Sequence, residues 1–166
     1  MYKSQSHVRD DVDVAAWQAA ILADMEYEHV QVGPRPLASI FFGGGTPSLF
    51  PPDAIDRFLQ LASARLRFAP NAEITLETNP GTAEHGRFEH YRAAGVNRIS
   101  FGIQSFDDAS LQKLGRIHDR PEAEHAVKLA QDAGSATPNL DLIYPLPGQP
   151  LAIAEPALPT ALPLSP

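Results

Sequence analysis

The chain of 166 residues contains no cysteine. That excludes disulfides, thiolate catalysis, zinc–thiolate sites and cysteine-held iron–sulfur clusters for the residues present. Long hydrophobic runs are also missing: no stretch approaches the ~20 apolar residues of a membrane span, and the opening Met1-Tyr2-Lys3-Ser4-Gln5-Ser6 has no apolar signal-peptide core. Positive charge is scarce, with 13 Lys and Arg against 20 Asp and Glu and a formal net charge of −7. Such a chain offers no uniform basic field to phosphate backbones or anionic membranes, so nucleic-acid binding is disfavoured and a soluble, cytoplasmic protein is expected. There is no His-Glu-x-x-His pair, and His85 and His90 miss the i, i+4 spacing of a helical metal site. No resident metal ligand is assigned, and Ser48 and Ser105 have no identifiable triad partners, so no catalytic residue is assigned either.

What is present is an alternation of strands and helices. Val14, Trp17, Ile21 and Met25 recur at helical spacing after Asp10, Asp11 and Asp13, predicting a helix over 10–30 with the Trp17 and Met25 face in the core. Residues 37–42 read as a buried strand. Pro51-Pro52-Asp53 then opens a helix whose inward face is Ile55, Phe58, Leu59, Ala62 and Leu66, with Arg65 and Arg67 in its last turn. Residues 72–77 form the next strand, and Thr82 can cap a helix carrying Phe88 and Tyr91 that Gly95 ends. A strand over 97–103, a short helix from Asp107 or Asp108 to near Gly115, a helix over 121–133 and a strand over 139–144 complete the pattern. Helical crossovers between strands impose parallel pairing, so the fold class is α/β. With about four strands, 1–144 is expected to be an incomplete β/α barrel. Seven prolines from Pro145 to Pro166 predict an irregular tail over 145–166.

Ligands of parallel β/α sheets bind at the carboxyl ends of the strands. Each predicted strand delivers something there: Gly44, Gly45 and Thr46 after the first, Glu77 with Asn79 after the second, Gln104 and Ser105 after the third, Asp141 and Tyr144 on the fourth. Taken singly, the glycines fit an ordinary turn, Glu77 a helix cap, Gln104 a loop-backbone contact and Asp141 a buried network. Arg116 fits a ligand carboxylate or a helix cap equally. Taken together on one rim, they favour a site. Backbone N–H groups of Gly44 and Gly45 can hold a carboxylate, Glu77 can accept from an ammonium group or a sugar hydroxyl, and Gln104 can do both. These suit a zwitterionic or nucleoside-bearing ligand. The loop lacks the Lys-Ser/Thr ending of a triphosphate-binding P-loop.

Five ordered motifs are specific enough to compare with a family: Phe41-Phe42-Gly43-Gly44-Gly45-Thr46-Pro47-Ser48, Glu77-Thr78-Asn79-Pro80, Asn97-Arg98-Ile99-Ser100-Phe101-Gly102-Ile103-Gln104-Ser105-Phe106, Leu114-Gly115-Arg116-Ile117-His118, and Asn139-Leu140-Asp141-Leu142-Ile143-Tyr144 with Leu146-Pro147-Gly148-Gln149. From His7 to Gln149 the chain resembles the radical S-adenosylmethionine family, in the branch of oxygen-independent coproporphyrinogen III oxidase-like proteins that includes the bacterial haem chaperone. The resemblance implies a partial, TIM-like β/α barrel and action in haem or porphyrin metabolism, as oxidase or haem chaperone. It implies S-adenosylmethionine as cofactor, held by Gly44, Gly45, Thr46 and Glu77, with Gln104, Arg116 and Asp141 at further cofactor-contacting positions. Haem or a porphyrinogen is the implied partner, and His118 or Tyr144 offers a side chain capable of axial haem ligation. The family's [4Fe-4S] cluster has no ligands in this chain, because its Cys-x-x-x-Cys-x-x-Cys motif is absent together with the first barrel strand. The family's later strands and C-terminal domain are likewise missing. An S-adenosylmethionine- or haem-binding remnant without catalysis, or an inactive fragment, is the alternative.

Overall fold

The computed structural model describes residues 13–82, 85–134, 138–146 and 148–164. Four strands, β1 (Leu37–Phe42), β2 (Phe68–Thr78), β3 (Arg98–Gln104) and β4 (Asn139–Leu142), form one sheet in the order β1-β2-β3-β4, every neighbouring pair parallel. Helices α1 (Val14–Val32), α2 (Pro52–Ser63), α3 (His85–Ala93), α4 (Asp108–Lys113) and α5 (Arg120–Asp132) alternate with them. The α/β expectation therefore holds, although β1, expected to be buried, is an edge strand with Phe41 exposed, and β4 ends at Leu142 rather than at 144.

The core lies on one face of the sheet. Ile74 and Leu76 of β2 and Ile99, Phe101 and Ile103 of β3 pack against Ile55, Phe58, Leu59 and Ala62 of α2, Phe88 and Tyr91 of α3, and Ala123, Ala126, Val127 and Ala130 of α5. Period 2 sends the intervening residues Thr75, Glu77, Ser100, Gly102 and Gln104 to the other face, which is polar. Core and polar face thus share the same two strands, residue by residue.

Local chemistry sets the boundaries. Asp13 caps α1 by accepting from the Ala16 amide at 2.9 Å, and Asp119 with Glu122 forms a reciprocal capping box at the start of α5. Thr82, expected to cap α3, has its side chain outside the described residues, as do Asp10 and Asp11. β2 begins four residues before the predicted 72–77 because Leu37 pairs with Phe68; a register shift between Leu37 and Ser39 accommodates Pro70, which has no amide to give the ladder. Asn97 then pins β2 from the side, its amide donating to Ala72 O at 2.9 Å and its Oδ1 accepting from Ile74 N at 2.8 Å.

Three further expectations are corrected. The Trp17 face of α1 is not core: Trp17 is 58% and Ile21 44% exposed, while Leu22 is buried and Met25 partly so. The docked face turns from Trp17 and Ile21 toward Gln18 and Leu22, with Met25 common to both, because Gln18 Nε2 donates to Ala54 O of α2 at 2.6 Å and Glu26 pairs with Arg65. Arg65 and Arg67 lie beyond the last turn of α2, which ends at Ser63. Residues 145–166 contain two short helices, α6 (Leu151–Ala154) and α7 (Ala157–Ala161), followed by a 3-10 turn over Leu162–Leu164. Their prolines sit where a missing amide costs little: Pro150 and Pro156 are the N-caps, and Pro159 lies in the first turn of α7. Leu146 and Ala161 are buried, and Gln131 of α5 holds the last turn through Leu164 O at 2.9 Å.

Candidate functional site

A cleft of about 160 Å³ opens at the carboxyl ends of the strands. It is lined by Gly45, Thr46 and Pro47 after β1, Glu77, Thr78 and Asn79 at the end of β2, Gly102 and Gln104 of β3, Arg116 from the α4–α5 connection and Asp141 of β4. Six of the seven residues singled out from sequence meet there. The seventh, Gly44, is exposed beside the cleft and reaches it only through its hydrogen bond to Glu77.

Gly44 and Gly45 adopt φ of 85° and 55°, a left-handed backbone that a Cβ would strain. The turn aims the Gly44 amide at Glu77, whose Oε2 accepts it at 3.1 Å. The expectation that this amide is open to a ligand carboxylate is corrected: the protein's own carboxylate takes it. Glu77 thereby couples the glycine loop to the end of β2.

Asn79 links the next parts. Its Nδ2 lies 3.5 Å from Thr46 Oγ1, and its Oδ1 lies 3.4 Å from Arg116 Nη1, so a chain of long contacts crosses the cleft from loop to connector. The Arg116 side chain faces the cleft, while its backbone N–H caps α4 by donating to Leu111 O at 3.0 Å, so the site and helix-cap alternatives are met by different atoms of the residue.

Asp141 is held from two sides. Ser100 Oγ donates to Oδ2 at 2.8 Å and Asn139 Nδ2 to Oδ1 at 2.7 Å, while Arg98 Nη2 donates to Asn139 Oδ1 at 2.9 Å. The network reading and the site reading of Asp141 therefore coexist: it is exposed to the cleft with both oxygens oriented by its neighbours on β3 and β4. Ser100, Asn139 and Arg98 escaped the sequence reading because their spacing is only that of ordinary strand residues. Period-2 placement on the polar face was the available signal.

Gln104 carries the cleft's one departure from easy backbone among non-glycine residues described, with φ of 68°. Gly102 stands beside it: a Cβ built there would lie 2.9 Å from Gln104 Nε2 and 3.4 Å from Asn79 Oδ1. The absence of a side chain at 102 is what lets these two amides enter the cleft. Haem ligation by His118 does not fit: the residue is 4% exposed and its Nε2 is engaged with Ile103 O at 3.1 Å. Tyr144, also a haem-ligand candidate, is 68% exposed and does not line the cleft.

Among the described residues no group of three or more His, Asp or Glu side chains could hold a metal ion, and no helix is long and apolar enough to cross a membrane. With no cysteine in the chain, the donor set does not fit a [4Fe-4S] cluster.

The Radical SAM superfamily matches residues 19–155. The heme chaperone HemW of Haemophilus influenzae is 49% identical over 144 residues, covering 87% of this chain and 38% of the relative. HemW of Escherichia coli is 47% identical over 146 residues, covering 88% and 39% respectively. Among solved structures, the coproporphyrinogen III oxidase HemN from Escherichia coli, described as a radical SAM enzyme, superimposes with a TM-score of 0.73 at 29% identity over 93% of this chain and 37% of its own. The chain thus spans about two fifths of the length of the curated relatives it matches. A parallel α/β sheet with its polar residues gathered at the carboxyl ends, matched over most of its length by this sequence family, makes the chain a member of the radical SAM superfamily.

Proposed function

We propose that this chain is an S-adenosylmethionine-binding portion of a haem-chaperone-type radical SAM protein. The observation that carries the reading is the convergence of Gly45, Thr46, Glu77, Gln104, Arg116 and Asp141 on one cleft. Its charges suit that cofactor: two carboxylates match an ammonium and a sulfonium, and one guanidinium matches a carboxylate. The volume, below the about 300–1,000 Å³ of complete small-molecule sites, suits the amino-acid end of such a ligand. Glu77, already turned inward by the Gly44 amide, would receive the ammonium and Arg116 the carboxylate, while Asp141 would face the sulfonium and Gln104 would offer its side-chain amide to the adjoining ribose hydroxyls. Bound there, S-adenosylmethionine would supply a sulfonium-activated carbon to chemistry that needs a cluster for which this chain has no ligands. This chain's own residues bind and orient; they hold no cluster.

The haem side of the proposal rests on the HemW relatives and on the likeness to HemN. Titration calorimetry of S-adenosylmethionine into the folded protein is the test: saturable one-to-one binding is expected, and no heat from a protein with a cooperative melt would refute the reading. Anaerobic reconstitution with iron and sulfide is expected to give no stoichiometric [4Fe-4S] absorption; a full spectrum would overturn the donor-set argument.

A further inference from the structure

His118 does not line the cleft, yet it is buried beside Ile103 of β3 and near Gly81 after β2. Its Nε2 lies 3.1 Å from the carbonyl oxygen of Ile103. A carbonyl only accepts, so Nε2 carries the proton. The same oxygen accepts the Ser105 amide at 2.8 Å, closing a three-residue turn about Gln104 with its φ of 68°. Turns of this kind, with positive φ at the centre, are rare and strained. Strained backbone at a non-glycine residue persists where its surroundings over-determine it.

Those surroundings are visible. On the far side of Gln104 its own carbonyl accepts the Ile143 amide at 2.9 Å, so β4 holds one flank of the turn. The other flank ends on the Ile103 carbonyl, where the imidazole is the only donor from outside the turn among the contacts described. His118 also follows Arg116 by two residues, and the loop after β2 packs close to this segment. A Cβ at Gly81 would lie 3.2 Å from Ile117 and 3.6 Å from His118.

We propose that His118 is a positioning residue whose Nε2–H, bonded to the Ile103 carbonyl, locks the positive-φ turn that aims Gln104 into the cleft and anchors the connector that carries Arg116. The consequence for ligand affinity rests on the S-adenosylmethionine reading of the cleft; the consequence for backbone conformation does not. His118→Phe keeps a planar ring but removes the donor, whereas His118→Gln places an amide N–H where Nε2 was.

Three readouts on the intact chain separate the possibilities. Nitrogen-15 spectra of the wild-type imidazole are expected to show a protonated Nε2, and a bare Nε2 would overturn the proposal without any variant. The Cα and Cβ shifts of Gln104, which report positive φ, are expected to survive in His118→Gln and to be lost in His118→Phe; their survival in a folded Phe variant would overturn it. Affinity for S-adenosylmethionine is expected to fall about tenfold in the Phe variant and within twofold of wild type in the Gln variant, in line with one hydrogen bond lost or kept. Equal loss in both, with melting temperatures unchanged, would also overturn it. Should the Phe variant not fold, the wild-type tautomer and the Gln104 shifts of the Gln variant decide. Should the wild-type protein not bind S-adenosylmethionine, the proposed function fails, and the tautomer and the shifts still decide the role of His118.

Discussion

Glu77→Ala is expected to reduce S-adenosylmethionine affinity by roughly ten- to a hundredfold while leaving the fold intact. The carboxylate has two tasks. One oxygen accepts the Gly44 amide at 3.1 Å and so fixes the glycine loop; the other is available to a cationic group in the cleft. Hydrogen bonds to charged groups contribute about 1.5–3 kcal/mol each, and about 1.4 kcal/mol is a factor of ten in affinity. Fold stability is expected to change little, because Glu77 is half-buried and stands on the polar face, away from the helices. Glu77→Gln separates the two tasks. The Gln amide oxygen can still accept from Gly44, so the loop stays in place, and only the attraction for a cation is lost. Calorimetry on the pair checks this: a Gln variant binding as tightly as wild type would assign Glu77 to loop support alone, and an Ala variant with unchanged affinity would remove it from the site.

The same residue shows what the sequence makes legible and what it does not. That Glu77 ends a strand follows from alternation, and that strand ends of parallel sheets bear ligands follows from topology. So the cleft's membership was readable: six of the seven residues singled out line it. Who bonds to whom was not. The Gly44 amide could meet a ligand carboxylate or a protein one, and only the three-dimensional approach of β1 and β2 decides, since 33 residues separate Gly44 from Glu77. For the same reason Asn79, noted only as a strand-end neighbour, emerges as the bridge between Thr46 and Arg116. In α1 the limit is different. Apolar residues are spread around that helix, so periodicity alone cannot select a face; the partner, α2, selects Gln18, Leu22 and Met25. The tail illustrates a third limit, because proline counts argue against long helices but not against a helical turn that begins on a proline.

Adjacent residues on β3 provide the sharpest separation of fold from site. Phe101 is fully buried in the core, with its ring edge-on to Phe88 at 5.8 Å between centroids. Gly102, the next residue, faces the cleft. Phe101→Ala is expected to cost about 3–5 kcal/mol from lost burial and the cavity left behind. For a chain of this size that lowers the melting temperature by roughly 6–20 °C. The folded fraction, measured well below its transition, is expected to bind S-adenosylmethionine within about twofold of wild type, because the ring is on the helix side of the sheet. Gly102→Ala should do the opposite. Its backbone is not in the left-handed region, so alanine fits the strand, but the new methyl would stand 2.9 Å from Gln104 Nε2. The far end of a flexible side chain yields easily, which keeps the melting temperature within about 2 °C, each kilocalorie being worth only a few degrees. Gln104 is displaced, and affinity is expected to fall about tenfold, the equivalent of one good hydrogen bond. Paired thermal melts and calorimetry on the two variants check the argument: if Phe101→Ala lost affinity in its folded state, or Gly102→Ala lost stability and kept affinity, the two faces of β3 would not divide fold from site as their period-2 arrangement requires.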